Sequence, residues 1–317
     1  MTCNEDACKT GGLHGLLHVG KTRETMIEKA YHDRDGEIWL DGNFVDWRET
    51  KIHVLTHSLH YGSCVFEGNR AYGGKIFRLS DHSQRLINSA NLLGYEIPYT
   101  RDEIDQACLD TLAKTGLDDA YLRPFAWRGS NMMGVASKNN QIHFGVAAWH
   151  WGSYFEDKMK GIRLCISDWI RPDPRSAPCK SKAAGLYMIC TLAKDKAAAT
   201  GWDDALMYDF KGRVAECTGA HIFFVRNGEL HTPTNDILLE GITHDTVIKL
   251  AEKRGIKVHK RDIHPSEMPH FEECFVVGTA AEVTPVREID GMHYVVGETT
   301  KTLATDYDDC VRGKIAI

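Results

Sequence analysis

The chain has 317 residues, 43% of them hydrophobic and 26% charged, globular proportions that exclude the disordered and fibrous classes. A chain of this length is expected to form about two domains. Lysine and arginine number 38 against 44 aspartates and glutamates, a net charge of −6, and no basic stripe points to a nucleic acid. No apolar run approaches the ~18 residues needed to cross a bilayer. Met1–Thr10 carries Glu5 and Asp6 with no apolar segment behind a basic one, unlike a signal peptide. A cytoplasmic protein is expected. The 10 cysteines are scattered without a CxxC pair, and Cys165, Cys190 and Cys274 sit in apolar runs, so reduced thiols are expected.

In chain order, residues 1–28 read as an extension, with a short helix possible only over Thr22–Tyr31. Glu37–Trp47 alternates apolar residues around Asp41-Gly42-Asn43, the pattern of a hairpin. A helix is predicted over Ser80–Gly94, with Ser80 as N-cap and Leu86, Ala90 and Leu93 as its stripe. Thr100 and Glu103 form a capping box for a second helix that Gly116 closes. Strands at Ala120–Trp127 and Gln141–Ala148 complete an α+β unit over residues 29–148. The aromatic and polar run 149–160 reads as a connection.

The second unit, residues 161–317, opens with a strand at Gly161–Trp169 and a bend at Pro172, Pro174 and Pro178. A helix at Ala184–Thr200 precedes a four-strand meander, ALMYDF, RVAECT, HIFFVR and ELHTP, broken at Lys211-Gly212 and Asn227-Gly228. Thr243 is the predicted N-cap of a helix to Arg254. Strands follow at Cys274–Val277 and Val283–Ile289, with a turn at Asp290-Gly291 into HYVV. Because strands and helices do not alternate strictly, an α+β fold is expected rather than a doubly wound sheet.

Chemistry is sparse in recognisable short motifs. His53, His57 and His60 fall at i, i+4 and i+7, but no HExxH accompanies them, so capping and hydrogen bonding are the expected roles and no metal is expected. GxGxxG, GxxxxGK[ST] and GxSxG are all absent. Two segments could offer backbone N–H groups to a phosphate: Gly241-Ile242-Thr243 at a helix start, and Gly278-Thr279-Ala280-Ala281 after a buried strand. Lys182 lies between the proline bend and an apolar helix, with Ala183, Ala184 and Gly185 leaving room around it. Desolvation there lowers a lysine's pKa and makes it a nucleophile able to form a Schiff base; Lys180 is a rival. Glu216 ends a strand, where a carboxylate can hold a protonated ring nitrogen.

Taken together, the chain resembles the fold-type IV aminotransferases that use pyridoxal 5′-phosphate, and among them the branched-chain amino acid aminotransferases. The resemblance runs from about Glu37 to at least Pro285. It is carried by HYGSCVFEGNRAY (60–72), HSQRL (82–86), AYLRP (120–124), WGSY (151–154), KAAGLY (182–187), AECTGAHIFF (215–224), LEGIT (239–243) and GTAAEVTPV (278–286), all in family order. It implies a two-domain fold, a smaller N-terminal unit and a larger cofactor-binding unit with barrel-like strands. It assigns Lys182 rather than Lys180 as the Schiff-base lysine, with Glu216 on the pyridine nitrogen and Tyr187 on the ring 3′ oxygen. Arg85, Ile242, Thr243 and Thr279 would hold the phosphate, and Leu239 would pack on the ring. Phe66, Tyr61, Gly68, Tyr154 and the Ala280–Ala281 backbone resemble the substrate site, and Arg123 beside Tyr121 resembles the arginine that takes glutamate's distal carboxylate.

The implied reaction is reversible transamination of leucine, isoleucine and valine with 2-oxoglutarate, giving keto acids and L-glutamate. Lys182, displaced by substrate, would move the proton. In the family Tyr61 enters the site of a neighbouring subunit, which implies a homodimer, alone or assembled into a hexamer. D-amino acid aminotransferases, (R)-amine transaminases and aminodeoxychorismate lyases share the fold and rank second, because the HYGSCVFEGNR, AYLRP and GTAAEVTPV blocks are of the branched-chain type. The chain departs from the family signature at His221, where asparagine is usual, and at His244, where lysine or arginine is usual. Imidazoles titrating near neutrality at these positions would alter the positioning of the cofactor loop, and with it cofactor affinity or pH optimum, but plain loop packing is the favoured reading.

Overall fold

The computed structural model describes residues 30–152, 154–155, 157–233 and 238–317. The extension, and the short helix considered at Thr22–Tyr31, lie outside the described residues except for Ala30 and Tyr31, which are not helical.

β1 (Glu37–Leu40) and β2 (Asn43–Asp46) form the expected hairpin, with Asp41 and Gly42 at φ 47° and 94°. Positive φ at both loop residues matches the twist of the paired strands. A short helix α1 (His57–Tyr61) leads through β3 (Val65–Phe66), β4 (Asn69–Tyr72) and β5 (Lys75–Ile76) to α2 (Leu79–Leu92) and α3 (Arg101–Thr115). β6 (Ala120–Arg128) and β7 (Ile142–His150) pair along their whole length. The seven strands run antiparallel in the order β2-β1-β7-β6-β4-β5, with β3 also against β6. Leu86 and Ala90 of α2 and Ile104, Cys108 and Leu112 of α3 pack on Leu122, Phe144 and Val146.

The Thr100–Glu103 capping box is present as expected. Ser80 is not an N-cap. The N-cap lies two residues earlier, at Arg78 in the left-handed region, so Ser80 is already inside the first turn.

The second half contains β8 (Ile162–Ile166), α4 (Tyr187–Ala199), β9 (Asp204–Tyr208), β10 (Val214–Cys217), β11 (His221–Arg226), β12 (Glu229–Pro233), α5 (Ile242–Lys253), β13 (Val258–Arg261), β14 (Glu273–Gly278), β15 (Glu282–Ile289), β16 (Met292–His293) and α6 (Glu298–Val311). Nine strands order as β10-β9-β8-β15-β14-β11-β12-β13, with β16 on β15. The four strands expected as one meander are instead two hairpins, since β11 pairs with β12 and β14 but not with β10. A tight turn, with Cys217 N–H donating to Ala220 O at 2.8 Å, carries the chain from one end of this order into its middle, so the sheet curls into a half-barrel. β11 is consequently buried on both faces. Ile222 and Phe224 enter the barrel core with Leu164, Leu206 and Val276, while Phe223 and Val225 meet α5 and α6 through Val247, Ile248 and Leu303. Double-sided burial explains its unbroken apolar run. No helix among the described residues is long and apolar enough to cross a membrane.

Candidate active site

Lys182 is fixed where the two sheets meet. Its N–H donates to Ser89 Oγ at 3.0 Å, its carbonyl accepts from Phe66 N–H at 3.2 Å, and Ala183 bridges Val65. The approach depends on a glycine pair, because a Cβ on Gly185 would lie 2.9 Å from Gly62 O. The side chain then enters a cavity of about 230 Å³ between the two halves. Lys182 Nζ donates to Tyr187 Oη at 2.7 Å. Lys180 is exposed and does not line the cavity.

Glu216 reaches the same cavity from β10 and is buried. Burial pushes its carboxyl up, opposed by the Arg171 guanidinium 3.0 Å away and by Lys182. Arg171 was not singled out by sequence; its position beside Pro172 gives no local signal. Its Nε, like that of Arg123, is buried without a hydrogen-bond partner among the described residues. Unfilled donors of this kind, in a cavity, are suited to a ligand.

At another part of the wall lie Gly241, Ile242 and Thr243. Gly241, not Thr243, is the N-cap of α5, and no side chain among the described residues caps it. The first N–H groups of the helix therefore remain available to an anion, with the positive end of the dipole behind them. Arg85 joins them on the cavity wall. Its Nε and Nη2 donate to Glu67 at 2.7 and 2.8 Å, and Nη1 donates to Glu240 O at 2.8 Å. Burial pushes the Glu67 carboxyl up, but Arg85 and the ring of His82, 2.7 Å away, bring it well below the usual carboxylate range. Glu67 and His82 sit inside two of the sequence blocks yet carry no spacing that marks them as the support of Arg85.

Leu239, Thr279 and Ala280 complete this wall, and Phe66, Gly68, Tyr121, Arg123 and Tyr154 line the remainder. Gly68 is required for the packing, since a Cβ there would lie 2.0 Å from Tyr121 Oη. Arg123 Nη2 donates to Tyr121 Oη at 3.2 Å, and its guanidinium carbon stands 4.7 Å from the Phe66 ring centre. Two expected residues are not on the wall: Ala281 is buried behind it, and Tyr61 is exposed on α1.

Burial, then the charges of Arg85, Lys182 and Arg171, hold His221 down at about 3, and burial holds His244 well below its ordinary value. Neither imidazole titrates near neutrality. Thr232 Oγ1 donates to Ile222 O, so its contact with His244 Nε2 at 2.9 Å must be accepted from that nitrogen, which fixes the His244 tautomer.

The histidines of the first half have hydrogen-bonding roles. His57 Nε2 contacts Gly134 O at 3.0 Å, His60 Nε2 contacts Val54 O at 2.8 Å, and His53 Nδ1 accepts from Leu55 N–H at 3.1 Å. A separate cluster, Glu229, His231 and His259, is poorly arranged for a metal. Its two rings stack at 4.7 Å and 12°, so their lone pairs run parallel rather than converging, and His231 Nδ1 already accepts from Arg261.

Residues 64–289 match the amino-transferase class IV family. A branched-chain-amino-acid aminotransferase of Pseudomonas aeruginosa is 41% identical over 291 residues, covering 89% of this chain and 95% of that protein. The fold is similar to the branched-chain aminotransferase of Thermoproteus uzoniensis solved with norvaline, at a TM-score of 0.86 and 39% identity over 89% of this chain and 96% of that one. It is also similar to the branched-chain amino acid aminotransferase of Thermobaculum terrenum in its PLP-bound holo-form, at a TM-score of 0.82 and 32% identity over 89% and 95% of the two chains. The chain thus belongs to the class IV aminotransferases and is a pyridoxal-phosphate-dependent aminotransferase of the branched-chain type.

Proposed function

We propose that this enzyme exchanges amino groups between L-branched-chain amino acids and 2-oxoglutarate, with pyridoxal 5′-phosphate joined to Lys182. The observation that carries the reading is one cavity holding a lysine amine, a buried carboxylate and an uncapped helix N-terminus together. These groups fit the cofactor's aldehyde, ring nitrogen and phosphate in turn. Pyridoxal phosphate supplies an electron sink for the pair left behind when the substrate's α-proton departs.

The chain's own residues do the rest. Lys182 Nζ would hold the cofactor through its aldehyde and, when free, would carry the substrate's α-proton as general base and then acid. Tyr187 Oη, the hydrogen-bond partner of that amine, orients it and would meet the cofactor's 3′ oxygen. Glu216, with Arg171 favouring its ionised form, would hold the ring nitrogen protonated. Arg85, Ile242, Thr243 and Thr279 would hold the phosphate, and Leu239 would pack on the ring.

Phe66, Tyr154, Gly68 and Tyr121 form the side-chain pocket, and the Ala280 backbone, the part of the expected Ala280–Ala281 pair on the wall, takes the α-carboxylate. Arg123, with its unpartnered Nε, takes the distal carboxylate of the dicarboxylic partner while its face against Phe66 leaves room for an apolar side chain. Tyr61 enters the site of a second copy. The exposure of Ile52, Val54, Leu55 and Leu59 beside it supports a homodimer.

The reading divides the chain into an N-terminal unit over 29–148, a connection over 149–160 and a cofactor unit over 161–317.

The test is the visible spectrum of the cofactor-loaded protein before and after L-leucine, without a keto acid. Loss of the yellow band supports the reading; loss only with a D-amino acid or an amine overturns the substrate assignment.

A further inference from the structure

Arg78 joins two observations that the cofactor reading does not use. It occupies the left-handed region, φ 49° and ψ 41°, where a residue with a Cβ is strained. Such strain persists where the surroundings hold the residue in place, and here the hold is the first turn of α5. Arg78 Nη1 donates to Ile242 O at 3.2 Å, Asp245 Oδ2 at 2.6 Å and Thr246 Oγ1 at 3.0 Å, while Nε donates to Asp81 Oδ2 at 2.5 Å. From the same helix, Arg85 holds Glu240 O. The start of α2 is therefore bonded to the chain on both sides of Gly241.

A cation beside a helix N-terminus opposes the helix dipole, so helix stability alone does not account for Arg78. Its charge has another use. Asp245 lies in the first turn of α5, next to the residues that line the cavity, and would repel an anion there. Arg78 cancels that charge together with Lys249, whose Nζ is 3.0 Å from Asp245 Oδ2.

We propose that Arg78 is a positioning residue for the phosphate end of the site, fixing the first turn of α5 and neutralising Asp245 so that a dianionic phosphate can bind. The proposal rests on the reading of the cavity as a pyridoxal-phosphate site.

The test titrates apoenzyme with pyridoxal 5′-phosphate and, separately, with phosphate-free pyridoxal, following absorbance. Arg78→Ala should weaken the phosphorylated cofactor about 10- to 100-fold, the range of a lost charge-assisted hydrogen bond, and leave pyridoxal within about threefold. Adding Asp245→Asn to Arg78→Ala should recover part of the loss. Arg78→Lys, which keeps the charge at a single point, should weaken only the phosphorylated form, and it serves if the alanine variant does not fold. Unchanged affinity for the phosphorylated cofactor, or an equal loss for both ligands, overturns the proposal alone. Failure of wild-type protein to bind either ligand overturns the cavity reading, and the proposal with it.

Discussion

The rings of His221 and His244 face one another with centroids 4.9 Å apart, and a Cβ added to Gly241 would lie 2.4 Å from His221 Nε2. The pair thus packs against the turn that starts α5. His221 is held at about 3 in the folded chain against an ordinary 6.5. Between those values the unfolded chain binds a proton that the folded one refuses, so the stability of the neutral ring is complete above about 6.5 and is lost as pH falls toward 3. His244 acts in the same direction. His221→Asn should flatten the loss of stability between pH 7 and pH 5, as read by urea unfolding. An unchanged slope would contradict this.

Arg85 meets Glu67 through two parallel hydrogen bonds in a site where Glu67 is fully buried. Removing one member of a buried pair typically costs about 3–5 kcal/mol, because the other charge is left without its partner. Glu67→Gln should lose stability on that scale and bind cofactor more weakly. A change below about 1 kcal/mol by denaturant unfolding would show that Arg85 is held by other groups.

The dicarboxylic and branched-chain half-reactions should separate at Arg123. Arg123→Ala is expected to raise KM for 2-oxoglutarate about 10- to 100-fold, the worth of a charged hydrogen bond, with a much smaller effect on leucine. Gly68→Ala should act in the same direction by displacing Tyr121 Oη, the partner of Arg123. Steady-state kinetics with each substrate varied against the other would check both. Equal losses for the two substrates would remove Arg123 from the distal-carboxylate role.

Much of this architecture was legible in the sequence because the signal was local. Asp41-Gly42 and the Thr100–Glu103 box each specify a turn or cap within a few residues, and the doubly buried β11 shows as a continuous apolar run. What escaped depends on distant partners. α6 was not anticipated, because its buried face mixes Leu303, Tyr307 and Val311 with Thr300 and Asp306. Those polar groups are satisfied by Glu273 and Arg254 from elsewhere in the chain. The N-caps expected at Ser80 and Thr243 failed for the related reason that Arg78 and Gly241 make the actual starts. In the site, Lys182 and Glu216 were found through their blocks, whereas Glu67 and Arg171 are ordinary charges until the fold buries them beside Arg85 and Glu216. Titration near neutrality, the less favoured reading of His221 and His244, fails because composition does not reveal how completely a ring is enclosed.

Borohydride reduction of the cofactor-loaded enzyme followed by peptide mapping tests the proposed covalent role of Lys182 most directly. The reduced cofactor should be found on Lys182, with Lys182→Ala leaving less than ~10⁻² of activity, since proton transfer alone is worth at least that, and Lys180→Ala close to wild type. Label on Lys180, or near-normal turnover without Lys182, would contradict it.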